Sequence, residues 1–130
     1  MRAGIVALAL VLASSIARTS VAAPEARKRV DGFPCAGCVT SWTERDQERT
    51  DPSPLLVVLH GDYGENAAGL HRAWEPHVAS RGIALLSLAC PASEGCKGSW
   101  WRWDGDPAWI DRQVDTLATR VSIDRDRMWL

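Results

Sequence analysis

The chain has little excess charge of either sign: 15 basic and 16 acidic residues among 130, for a net −1. A protein that tracks nucleic acid or an anionic membrane carries a basic face, and nothing here supplies one. An apolar run of the ~20 residues that cross a bilayer is also missing. The glycines do not make a dinucleotide fingerprint, because Gly61, Gly64 and Gly69 are wrongly spaced for G-x-G-x-x-G. Gly64 and Gly69 have phosphate-loop spacing, but Leu70 and His71 stand where that motif needs Lys and Ser or Thr. No pair or trio of His60, His71 and His77 has metal-ligand spacing with a carboxylate. The sequence therefore calls for no cofactor and no metal.

The N-terminus, MRAGIVALALVLASSIARTSVAAPEA, has Arg2, an apolar run from Ala3 to Ala13 and the small residues Val21-Ala22-Ala23. This pattern predicts a signal peptide over residues 1–23, cut after Ala23. The product is expected to be secreted or periplasmic, with no membrane span after cleavage. No cysteine follows the site, so a lipid anchor is not indicated. Arg2 and Arg18 leave with the leader, so 13 basic residues then face 16 acidic ones, net −3. Four cysteines in an exported chain favour disulfides, with three possible connectivities. Cys35-Ala-Gly-Cys38 has redox-motif spacing, but VTSW follows and reads as strand, where redox motifs open a helix. A local structural bridge is the favoured reading. Cys90 and Cys96 flank a five-residue loop and are expected to pair across it.

Residues 24–32 are charged and read as flexible, and Phe33 to Trp42 holds a strand candidate. Residues 24–54 form an N-terminal extension that ends in the polar, proline-bearing TERDQERTDPSP. Leu55–Leu59 and Ile83–Ala89 are unbroken apolar runs, which suit strands covered on both faces. Between them Asn66 is placed to cap a helix with Leu70, Ala73, Trp74, His77 and Val78 on one face. Pro76 should kink or split that helix, and Gly82 should end it. Asp106-Pro107 opens a second helix carrying Ile110, Val114, Leu117, Ala118 and Val121. SIDRDR then reads as a turn and MWL as a third strand. Strand, helix, strand, helix, strand predicts an α/β fold with a parallel sheet. Its sites belong at the carboxyl ends of the strands.

LLVVLHGDYG, Leu55 to Gly64, runs a buried strand into a His-Gly turn. An ester-cleaving serine enzyme needs backbone N–H groups aimed at the developing oxyanion, and such a turn can supply one. Here the chain resembles the α/β-hydrolase superfamily, closest to secreted feruloyl esterases, polyhydroxybutyrate depolymerases and dienelactone hydrolases. PLLVVLHGDYGENAAGL, the Trp74 helix, RGIALLSLACP and SIDRDRMWL carry the resemblance, over roughly Pro54 to Leu130. It implies an N-terminal part of that fold over residues 55–130, with flanking helices, stopping before the nucleophile elbow. It implies Asp62 as the oxyanion N–H donor, Tyr63 as the second choice, and His60 and Gly61 as support for the turn. The substrate would be a small-molecule or polymeric ester.

The triad itself is missing. There is no G-x-S-x-G in the chain, and all three histidines precede the place where the base should fall in Ser, acid, His order. His77 is expected to be packed in the core, with His71 at the edge of its face. SEGCKGS does not substitute, because Glu94 occupies the first glycine position. Trp100, Trp101 and Trp103, with Trp109 close behind, could wall a substrate pocket or cover the sheet as core. The alternative to an esterase is a secreted, non-catalytic carbohydrate-binding module that uses this tryptophan loop.

Overall fold

The computed structural model describes residues 26–44, 51–61, 66–94, 96 and 106–130. Five strands form one sheet: β1 Arg27–Asp31, β2 Val39–Thr43, β3 Ser53–Leu59, β4 Ala84–Leu88 and β5 Ile123–Trp129. Helix α1, Ala67–Ala79, lies between β3 and β4, and helix α2, Ala108–Ala118, lies between β4 and β5. The strand order is β1-β2-β4-β3-β5.

The expected parallel sheet, and with it the N-terminal α/β-hydrolase fold, is overturned. β3 runs parallel to β4 and β5, but β2 runs antiparallel to both β1 and β4. The sheet is mixed, and the cause is local. β1 and β2 are joined by only seven residues, 32–38, and a short connection can only return the chain antiparallel. Gly32 and Gly37 supply positive φ angles of 73° and 78° in it, a region few other residues enter without strain. The Gly32 N–H donates to the Cys38 carbonyl at 2.7 Å and the Cys38 N–H to the Cys35 carbonyl at 3.0 Å. β1 also corrects the reading of residues 24–32 as flexible. Its charges suit an edge strand, with Lys28 and Arg29 exposed, while Arg27 turns inward.

Alternation along the strands sends side chains to opposite faces. Leu55, Val57, Ala84, Leu86, Leu88 and Trp42 pack with Trp109, Val114, Leu117 and Val121 on the α2 face. The α1 face is thinner: Val58 and Leu85 meet Val78, with Leu56, Leu70 and Ile83 at the margin. The second helix keeps its expected buried stripe, except that Ala118 is exposed and Trp109 joins the core.

Helix α1 corrects its expected phase. Asn66 caps it as expected, its Oδ1 accepting from the Gly69 N–H at 2.8 Å. However, Ala67, His71 and Val78 are the buried residues, while Ala73, Trp74 and His77 are exposed. His77 is thus a surface residue, edge-on to Trp74 at 6.3 Å, and His71 is fully buried. The helix also runs through Pro76 as one element, with the exposed proline on its solvent side. Gly82, with φ 61°, follows the Ser80 C-cap and turns the chain into β4.

SIDRDR keeps its turn character inside the range of β5. Ser53 pairs with Ile123, yet Leu55 pairs with Met128, so Asp124–Arg127 bulge out of the ladder. Asp124 holds the bulge by accepting from the Asp126 N–H at 3.0 Å and from Arg127 Nε at 2.5 Å.

Candidate functional site at the sheet rim and the polar chain beneath it

β3 ends at Leu59, and His60 and Gly61 follow at its carboxyl end. The imidazole of His60 is 5% exposed, and its Nδ1 lies 3.0 Å from the Gly61 carbonyl oxygen. A carbonyl can only accept, so Nδ1 carries the hydrogen and donates it. The buried imidazole therefore holds the Gly61 carbonyl, while Gly61 itself is exposed at the rim. The oxyanion donors named above, Asp62 and Tyr63, lie outside the described residues, as do the wall candidates Trp100, Trp101 and Trp103. Trp109, their neighbour in sequence, is 8% exposed and belongs to the core.

An apolar groove of about 400 Å³ lies along β3 beside α1. Leu56, Val58, Leu59, Leu70, Trp74 and Leu130 line it. Both disulfides form as expected: Cys35–Cys38 with a Cα separation of 5.2 Å, and Cys90–Cys96 with 5.8 Å.

The apolar periodicity gives no sign of a second constellation, packed between α1 and the sheet. Ser41 on β2 and Ser87 on β4 face the helix residues His71 and Glu75, and Arg27 reaches in from β1. Ser41 Oγ lies 2.5 Å from Glu75 Oε2 and donates to it. Its one hydrogen is then committed, so at 3.0 Å from His71 Nε2 it can only accept. His71 therefore carries its proton on Nε2, which is also 2.7 Å from Glu75 Oε2. A neutral ring leaves Nδ1 as an acceptor, and Ser87 Oγ donates to it at 3.0 Å. Arg27 completes the chain, donating from Nε to Glu75 Oε1 at 2.6 Å and from a terminal nitrogen to the Ile83 carbonyl at 3.0 Å.

Ser87, His71 and Glu75 thus have the hydrogen-bond order of a nucleophile, a base and an acid. They are not one. Ser87 and His71 are both 0% exposed and Ser41 is 1% exposed, and a nucleophile must touch a carbonyl carbon. The chain fastens α1 to three strands. Buried polar groups are tolerated only when paired in this way.

The electrostatics follow from the packing. Burial pushes the His71 imidazole below its ordinary range, helped by the charges of Arg29 and Arg27, and the pull of Glu75 only partly offsets this. Burial pushes the Glu75 carboxyl up. The Ser41 hydrogen bond and the Arg27 guanidinium outweigh that and hold it below its ordinary value. Both folded pKa values are depressed, so both groups stabilise the fold above their unfolded pKa and lose that contribution as pH falls. His71 titrates first, below about pH 6.5. The urea midpoint of residues 24–130 is therefore expected to fall between pH 7 and pH 5, and the fall should shrink in His71→Gln. Equal midpoints at both pH values in the native chain would contradict this.

No protein-family model, no curated protein and no solved structure matches this chain. Among the described residues, no helix is long and apolar enough to cross a membrane, and no group of three or more His, Cys, Asp or Glu could hold a metal ion.

Proposed function

We propose that the rim at the end of β3 serves carboxylic-ester hydrolysis in an exported serine esterase, with the nucleophile supplied from outside these 130 residues. The observation that carries this reading is the His60 imidazole on the Gly61 carbonyl. The buried imidazole holds the Gly61 carbonyl at the end of β3, directly before the residue assigned above as oxyanion donor. A donor held in place before reaction is what stabilises a developing negative charge.

The groove along β3 supports the reading with an apolar wall that suits an acyl group. Two disulfides support export, because such bridges persist in oxidising compartments.

The test is hydrolysis of p-nitrophenyl butyrate. Residues 24–130 alone are expected to leave it at the background rate. The product of the reading frame continued past codon 130 is expected to cleave it. The proposal fails if the continued product cleaves no ester. It also fails if residues 24–130 alone show activity that a substitution within them removes. Retention on polysaccharide without ester cleavage would instead point to the carbohydrate-binding alternative.

A further inference from the structure

The hairpin between β1 and β2 holds a chemical group that the rim does not use. Cys35 and Cys38 are bridged across two residues, and their environments differ. Cys38 is 0% exposed at the base of β2, whereas Cys35 is partly exposed at the tip of the turn, beside the exposed Ala36 and Gly37. The backbone N–H of Ala89, at the end of β4, points at Cys38 Sγ from 3.3 Å. A hydrogen bond to sulfur is weak while the sulfur is neutral and strengthens when it carries charge. Attack therefore falls to Cys35, the less buried of the two although it packs against the core, and Cys38 has a donor ready to receive it as thiolate.

We propose that Cys35–Cys38 is a thiol–disulfide exchange site for low-molecular-weight thiols. A thiolate of the glutathione type attacks Cys35 Sγ. The new bond is a mixed disulfide on Cys35, the Cys35–Cys38 bond breaks, and Cys38 leaves as a thiolate held by the Ala89 N–H. A second thiolate then attacks the small-molecule sulfur of the mixed disulfide and frees Cys35. Two thiols are oxidised to one disulfide, the bridge takes up two electrons, and two protons complete the cysteine pair. Oxidoreductases with this cysteine spacing lower the thiol pKa at a helix N-terminus. Here a strand follows, and an N–H from the neighbouring strand takes that place. The hairpin does not need the bridge to hold its shape, because Gly32 N–H to the Cys38 carbonyl and Cys38 N–H to the Cys35 carbonyl remain. Exchange can proceed in the folded protein.

Cys90–Cys96 is the internal comparison. The folded protein, residues 24–130, is treated with reduced glutathione, quenched with an alkylating agent at intervals, and mapped by mass spectrometry. Cys35–Cys38 is expected to open about tenfold faster than Cys90–Cys96, the effect of one charge-strengthened hydrogen bond on the leaving sulfur. Far-UV circular dichroism should not change as it opens. In Cys38→Ser oxidised with glutathione disulfide, the adduct should form on Cys35. If that variant does not fold, the alkylation time course of the native chain decides alone. Equal opening rates, or opening only where the protein unfolds, would overturn the assignment. So would an adduct trapped on Cys38 rather than Cys35 in the native chain.

Discussion

Replacing Glu75 by alanine is expected to lower the unfolding free energy of residues 24–130 by about 3 kcal/mol, the low end for breaking a buried ion pair. The low end applies because the Glu75 side chain keeps 28% of its exposure while that of Arg27 keeps 10%. The loss does not come from the carboxylate's own packing. Without it, the Arg27 guanidinium stays folded in against Ser41 and Ile83 with no counter-charge. Its NH1 already lacks a partner among the described residues. Ser41 also loses its acceptor, and His71 Nε2 keeps only the Ser41 oxygen. Urea unfolding at pH 7 measures the effect. A cycle with Arg27→Met separates pair from part: the double variant should lose less than the sum of the two single losses, because each single change strands the other charge. A loss below about 0.5 kcal/mol in Glu75→Ala, the worth of an exposed pair, would show that the chain does not fasten the helix.

That chain also explains what could be read from the residues and what could not. β3 and β4 were legible because buried central strands are continuous apolar runs; α2 was legible from its periodicity and Asp106, and α1 from its Asn66 cap but not in its buried face. β1 was not, because RKRVD has one apolar residue and its role depends on a hairpin return and on Arg27 reaching Glu75, 48 positions away. The same long-range contact moved the phase of α1. Counting apolar residues selects Ala73, Trp74 and His77, whereas the helix turns His71 and Glu75 inward to meet Ser41 and Ser87. The available signal was a serine within each of two strands, VTSWT and ALLSL, with His and Glu spaced i, i+4 on the helix between them. The antiparallel half of the sheet was hidden for a related reason: Gly32 and Gly37 mark a turn, but the apolar pattern of β2 says nothing about its direction. The end of β3 before His60 and Gly61 was legible, since an unbroken apolar run stops there.

The oxyanion assignment makes the largest functional prediction, and it turns on one hydrogen. Proline at position 62 removes that N–H and leaves the buried His60–Gly61 contact a place to form. Alanine at position 62 keeps the N–H and removes only the carboxylate. Losing one preorganised donor to a tetrahedral oxyanion slows turnover by roughly 10²–10³-fold. A donor that acts only in the transition state changes kcat, not substrate binding. The measurement is kcat and KM for p-nitrophenyl butyrate with the product of the reading frame continued past codon 130, each variant first matched to the parent in thermal midpoint. The assignment predicts that Asp62→Pro loses about 10²–10³-fold in kcat with KM nearly unchanged, and that Asp62→Ala stays close to the parent. An Asp62→Pro enzyme as fast as the parent, or an Asp62→Ala enzyme as slow as Asp62→Pro, would contradict it.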